Sequence, residues 1–102
     1  MKKIILVLTF AATTLIANAQ MLTNAPVVSA KSGRALFLKN CAHCHGADAH
    51  GDDGPDLHNL DWTDEQIAMR IRNGKKGQMT AFAGKLQTTE IESIIAYLRT
   101  LK

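Results

Sequence analysis

The chain has 102 residues, two of them cysteine, with 46% hydrophobic residues and a formal net charge of +3. That length admits one domain, close to the size at which an apolar core alone is barely sufficient. The charge excludes the strong basic surplus expected of a nucleic-acid binder.

Met1-Lys2-Lys3 precedes an apolar run from Ile4 to about Ala17, and Ala17-Asn18-Ala19 stands before Gln20. This is the three-part order of a secretory signal peptide, with cleavage predicted after Ala19. The run is shorter than the roughly 20 residues of a bilayer span and holds Thr9, Thr13 and Thr14, which disfavours a permanent anchor. No cysteine stands at the cleavage point for lipid attachment, and no second apolar run follows. The expected organisation is a cleaved leader at 1–19, a flexible segment at 20–29 and one domain at 30–102, exported to the periplasm. Taking nineteen residues from 102 leaves 83, and losing Lys2 and Lys3 leaves ten basic against nine acidic residues, a net charge of +1.

The first helix is predicted from about Ala30 to Asn40, with Gly33 and Phe37 four apart on one face. It ends at Cys41-Ala42-His43-Cys44-His45, the C-x-x-C-H arrangement that attaches haem c. Two thiols one helical turn apart can add to the two vinyl groups, and the adjacent imidazole then ligates iron. Three readings compete with it. A disulfide is the first expectation for two cysteines in a small exported chain. A thioredoxin-type redox pair would sit at a strand-to-helix junction, and no strand precedes Cys41. A zinc site needs further ligands, for which only His50 and His58 are at hand, without a recognisable partner motif.

Residues 46–60 hold Gly46, Gly51, Gly54, Pro55 and four aspartates, the composition of an irregular loop. At Thr63-Asp64-Glu65-Gln66 a capping box opens a helix with Ile67 and Ile71 on one face, closed by Asn73-Gly74. Met69 within it reads as core filler, and Met21 falls in the N-terminal segment. A loop from Lys75 to Lys85 follows. The last helix is predicted to open at Thr89 with Glu92 three residues on, to bury Ile91, Ile94, Ile95 and Leu98, and to run almost to Lys102. No alternating run long enough for a strand occurs.

With these pieces in order the chain resembles the class I c-type cytochromes in their small bacterial monohaem form. The resemblance covers about residues 30–102 and rests on the Gly33/Phe37 helix, Cys41 to Gly46, and Gly54-Pro55-Asp56-Leu57. Ile71-Arg72-Asn73-Gly74, Gly77-Gln78-Met79-Thr80-Ala81-Phe82 and Tyr97-Leu98 complete it. It implies an all-α, cytochrome c-like fold of three to five helices wrapped around one covalently bound haem c. It also implies that the first and last helices cross closely, Gly33 and Phe37 against Tyr97.

The resemblance further implies His45 and Met79 as axial ligands of the haem iron, with the Pro55 carbonyl accepting from the second ring nitrogen of His45. Similar cytochromes carry proline after the methionine, and Thr80 stands here, which predicts a freer loop when the methionine is unligated. His50 and His58 are the substitute ligands, read first as solvated loop histidines. Leu57, Leu60, Trp62, Ile71, Phe82, Leu86, Ile95 and Leu98 would line the haem pocket or its core. Trp62 is read as core packing ahead of an indole N–H bonded to a haem propionate.

The expected function is single-electron transfer by a carrier rather than an enzyme. The alternatives are a cytochrome c subunit of a larger oxidoreductase complex, or a five-coordinate haem protein if Met79 is not a ligand. Partners are expected to be redox proteins, acidic ones if Lys39, Lys75, Lys76 and Lys85 steer docking opposite Asp48, Asp52, Asp53 and Asp56. The protein is expected to be soluble and monomeric after cleavage and to dock to membrane respiratory complexes.

Overall fold

Four helices carry residues 27–102, the part described by the computed structural model: α1 (Ala30–Asn40), α2 (Ala42–His45), α3 (Asp64–Asn73) and α4 (Thr88–Leu98). The expected leader at 1–19, Met21 and most of the 20–29 segment lie outside the described residues. Among the described residues no helix is long and apolar enough to cross a membrane.

Helix α1 is capped by Ser29, whose backbone is extended and whose side-chain oxygen accepts from the Ser32 amide at 3.1 Å. Its buried residues are Gly33 and Phe37, and both face α4. A Cβ on Gly33 would stand 1.7 Å from the Ser93 carbonyl oxygen, so the two backbones touch at this crossing. Four residues on, the Phe37 and Tyr97 rings pack tilted with centroids 5.3 Å apart. The Ser93 hydroxyl donates to Thr89 O at 2.9 Å and accepts from the Ser29 amide at 3.3 Å, which satisfies the polar groups that so close a crossing buries.

Helix α3 opens with the expected reciprocal cap. The Gln66 amide donates to Thr63 Oγ1 at 3.2 Å, and the Thr63 amide donates to Gln66 Oε1 at 2.9 Å. Ile67, Ala68 and Ile71 face the core, and Gly74 ends the helix with φ of 63°. Met69 is not core filler: two residues beyond Ile67 it lies about 200° round the helix, and it is half exposed.

Helix α4 begins earlier than its sequence pattern predicts. Gln87 is the cap, and its amide donates to Glu90 Oε2 at 2.8 Å, while Glu92 is solvent-facing. The preceding turn decides this, because Lys85 and Leu86 both donate to Phe82 O at 2.9 Å and deliver an extended Gln87. The helix also stops at Leu98, short of Lys102. Beyond it the chain folds back, and the Asn59 amide donates to Leu101 O at 3.2 Å.

Arg99 makes that return firm. Its guanidinium donates to Leu60 O at 3.0 Å, to Trp62 O and to Asp64 Oδ1 at 2.8 Å. Arg99→Met should lower stability by about 1–2 kcal/mol, mostly through the two orphaned carbonyls, whereas Asp64→Asn should cost less than about 1 kcal/mol. Urea midpoints read at unchanged slope would check the order, and equal losses would show that the ion pair dominates.

The core gathers Phe37, Ile67, Ile71, Phe82, Leu86, Ile91, Ile94, Ile95, Tyr97 and Leu98, with Leu57, Leu60 and Met79 half-buried against it. Ala49 joins it with no exposed surface, at φ of 62°. Among the described residues the sole β-type pairing is an isolated bridge between Lys75 and Met79.

Candidate haem-binding site

The cysteine motif folds as one tight turn because α1 does not continue through it. The Cys41 amide closes α1 on Phe37 O at 2.8 Å, and Cys41 O accepts from the Cys44 amide at 3.1 Å and the His45 amide at 3.0 Å. Gly46, at φ of 80°, stops the turn. Cys41 and Cys44 are thus one turn apart and not joined in a disulfide, Cys41 half-buried and Cys44 exposed. Burial, with a smaller contribution from Cys44, pushes the Cys41 thiol up to about 11. A thioredoxin-type pair needs a thiol shifted the other way, so this environment disfavours that chemistry.

The loop after the motif wraps back over His45. Gly51 donates to His45 O at 2.8 Å and Gly54 to Cys44 O at 2.6 Å, which brings Pro55 O to 2.8 Å from His45 Nδ1. A carbonyl can only accept, so Nδ1 carries the proton and Nε2 keeps its lone pair for a metal. Gly54 leaves room for the ring: a Cβ there would stand 2.9 Å from His45 Cε1 and 3.0 Å from Nδ1. Two thiols one turn apart, an imidazole with a free Nε2 and a glycine cradle together fit a covalent haem.

Met79 lies half-buried against the same core cluster as Cys41. Its backbone is closed on Lys75 by a pair of hydrogen bonds of 2.8 Å, and Gly77 at φ of 74° makes the turn. Past Thr80, the Phe82 amide donates to Ile71 O at 2.9 Å. The chain is therefore pinned on both sides of the residue where similar cytochromes carry proline. Gly74 is required here, since a Cβ on it would come within 2.3 Å of Met79 O.

Trp62 does not pack in the core. It is 42% exposed, carries the Arg70 guanidinium 5.2 Å over its ring, and lines a cavity of about 420 Å³ with Gln66, Met69, Arg70, Asn73 and Gly74. Its carbonyl is held by Arg99. Phe82 is buried, with the Lys85 ammonium 5.7 Å over its ring.

His50 and His58 are not free loop side chains. Asp56 collects both: its Oδ1 accepts from the His58 amide and from His58 Nδ1, each at 2.8 Å, and its Oδ2 lies 3.4 Å from His50 Nδ1. The backbone bond from His58, then its side-chain bond, lowers the Asp56 carboxyl to about 2 from an ordinary 3.8. Whatever stability this carboxylate lends is present above about 3.8 and lost as pH falls through about 2. Carbon-detected NMR titration of the reduced protein should place the Asp56 midpoint near 2, and His58→Ala should raise it. An unchanged midpoint in that variant would assign the shift to another cause.

Residues 28–98 match the family model described as "Cytochrome C oxidase, cbb3-type, subunit III". The cbb3-type cytochrome c oxidase subunit CcoP of Rubrivivax gelatinosus is 39% identical over 75 residues, covering 68% of this chain and 25% of that protein. Subunit FixPc of Rhizobium leguminosarum bv. viciae is 34% identical over 89 residues, covering 78% and 31%. The chain therefore spans a quarter to a third of these relatives. Among solved structures, cytochrome cL of Methylophaga aminisulfidivorans superposes with a TM-score of 0.64 at 30% identity, covering 70% of this chain and 51% of that one. Cytochrome c6 of the diatom Phaeodactylum tricornutum gives 0.62 at 30% identity, covering 71% and 92%.

Proposed function

Because the chain belongs to the c-type cytochromes of the cbb3 oxidase subunit III family, we propose that it carries single electrons through one haem c bound to Cys41 and Cys44, with His45 and Met79 as axial ligands. The observation that carries this is the 2.8 Å contact between His45 Nδ1 and Pro55 O, which fixes the imidazole tautomer and leaves Nε2 for iron. The bound haem supplies a one-electron iron couple.

The protein's own part is to hold and orient. Pro55 sets the orientation of the His45 ring, and the Gly54 cradle allows the loop to lie against it. The Lys75–Met79 turn presents the thioether, a soft ligand that favours the reduced form. Phe82, buried in the cluster against which Met79 packs, and Trp62 would contribute aromatic surface to the haem pocket. No side chain has to give or take a proton in such a transfer.

Absorbance of the protein made with a cytochrome maturation system, before and after reduction, tests the site. The oxidised protein should show the weak far-red band of thioether-to-ferric charge transfer. In Met79→Ala that band should disappear and carbon monoxide should bind the reduced form. A wild-type protein that lacks the band, or binds carbon monoxide as readily as the variant, would remove Met79 from the ligand set.

A second reading, as a subunit of a larger oxidoreductase complex, is favoured by the oxidase-subunit relatives, of which this chain spans only a part. Export by the 1–19 leader would place the domain in the periplasm, where such an assembly could be met. Lys39, Lys75, Lys76 and Lys85 are all exposed and could steer an acidic partner. Co-purification with a membrane oxidase, in a salt-dependent manner, supports this reading, and electron exchange whose rate ignores ionic strength argues against steering.

A further inference from the structure

The haem reading does not account for the loop cluster of His50, Asp56 and His58. We propose that these three side chains form a binding site for one borderline divalent transition cation, of the chemistry of Zn²⁺, on the loop between the cysteine motif and α3.

The cluster is built by the fold. The Leu57 amide donates to Ala49 O at 2.8 Å, and Ala49 is fully buried, so the two limbs of the loop are stitched together at that point. His50 on one limb is thereby set beside Asp56 and His58 on the other. Their rings lie parallel, 3.7 Å apart with 5° between planes, and one ligand atom from each of the three residues lies within 4.8 Å of the others. A second backbone contact, from the His50 amide to Asp48 Oδ1 at 3.0 Å, steadies the outer limb.

The spacing suits a cation. Four ligands about 2.1 Å from a tetrahedral centre stand about 3.4 Å from one another. Asp56 already holds Oδ1 2.8 Å from His58 Nδ1 and Oδ2 3.4 Å from His50 Nδ1, so both carboxylate–imidazole contacts lie at or inside that spacing. His50 is 61% exposed and can adjust, whereas His58 is 13% exposed and anchored. On binding, each neutral imidazole passes its Nδ1 proton to Nε2 through solvent, and water completes the fourth position. Two imidazoles and one carboxylate select a borderline cation over Ca²⁺ or Mg²⁺, which need more oxygen ligands.

The site is one residue from the iron ligand's support. Asp56 follows Pro55, whose carbonyl accepts from His45, so a cation would clamp both limbs of the loop that orients the proximal imidazole.

The test is calorimetric titration of Zn²⁺ into the haem-loaded protein at pH 7.5, in which Cys41, Cys44 and His45 are occupied. Wild type should bind one equivalent. His50→Ala and Asp56→Asn should each weaken binding at least tenfold, and His43→Gln, outside the cluster, should leave it unchanged. Unaltered visible spectra would show that the variants are folded, and the exposed His50 provides a variant that spares the core. Binding by wild type no tighter than by His50→Ala, or loss in His43→Gln equal to that in His50→Ala, overturns the site.

Discussion

Gly33→Ala should cost this domain about 3 kcal/mol or more, lowering its melting temperature by roughly 12–24 °C. The added Cβ would lie 1.7 Å from Ser93 O and 2.4 Å from Ser93 C, both backbone atoms that no rotamer change can move away. Relief requires α1 and α4 to separate, which loosens the Phe37–Tyr97 contact and the Ser29–Ser93 hydrogen bond together. Helix propensity alone predicts the opposite sign, because alanine is the better helix former by nearly 1 kcal/mol. Thermal unfolding of the haem-loaded variant decides between the two effects, and an unchanged or raised midpoint would mean that the two helices can separate at this crossing without loss. Gly33→Ser should be at least as damaging.

Replacing both Cys41 and Cys44 with alanine should abolish haem retention after denaturation and remove the cooperative thermal transition of the domain. The first part follows from the chemistry, since no other cysteine exists in the chain to form a thioether. The second follows from size: a domain this small buries only roughly 60–65% of its unfolded surface, and among the described residues the largest fully buried side chains are Phe37, Ile91 and Ile94. A cofactor bound only by the native state adds what this core lacks. A denaturing gel stained for haem and far-UV ellipticity on heating would check the two parts separately. Retained cooperative melting in the haem-free variant would show that the helices carry the fold unaided.

Much of the site was legible because its chemistry is local. C-x-x-C-H confines both thiols and the imidazole to one turn, and the α3 cap needs only Thr63 and Gln66. The His45–Pro55 contact was implied by family resemblance and is present at 2.8 Å. Where expectation failed, a distant partner had overridden a local pattern. Thr89 and Glu92 made a plausible cap, yet the turn on Phe82 shifts the start of α4 to Gln87. Met69 lies within a helix, but its angular position turns it outward from the core. Arg99 itself gave no signal, because its acceptors are backbone carbonyls some 37 to 39 residues away.

The sequence by itself determined the helical content, the Cys41–His45 turn and the family, since each depends on residues within a few positions of one another or on their linear order. The α1–α4 crossing at Gly33 was implied by the family resemblance, and only the tertiary structure decided the turnback held by Arg99 and the meeting of His50 with Asp56 and His58. The physical reason is range. Caps, turns and periodicity act over one or two helical turns, whereas a crossing set by the absence of a Cβ, or a loop stitched by one Ala49–Leu57 bond, exists only once the chain has closed on itself.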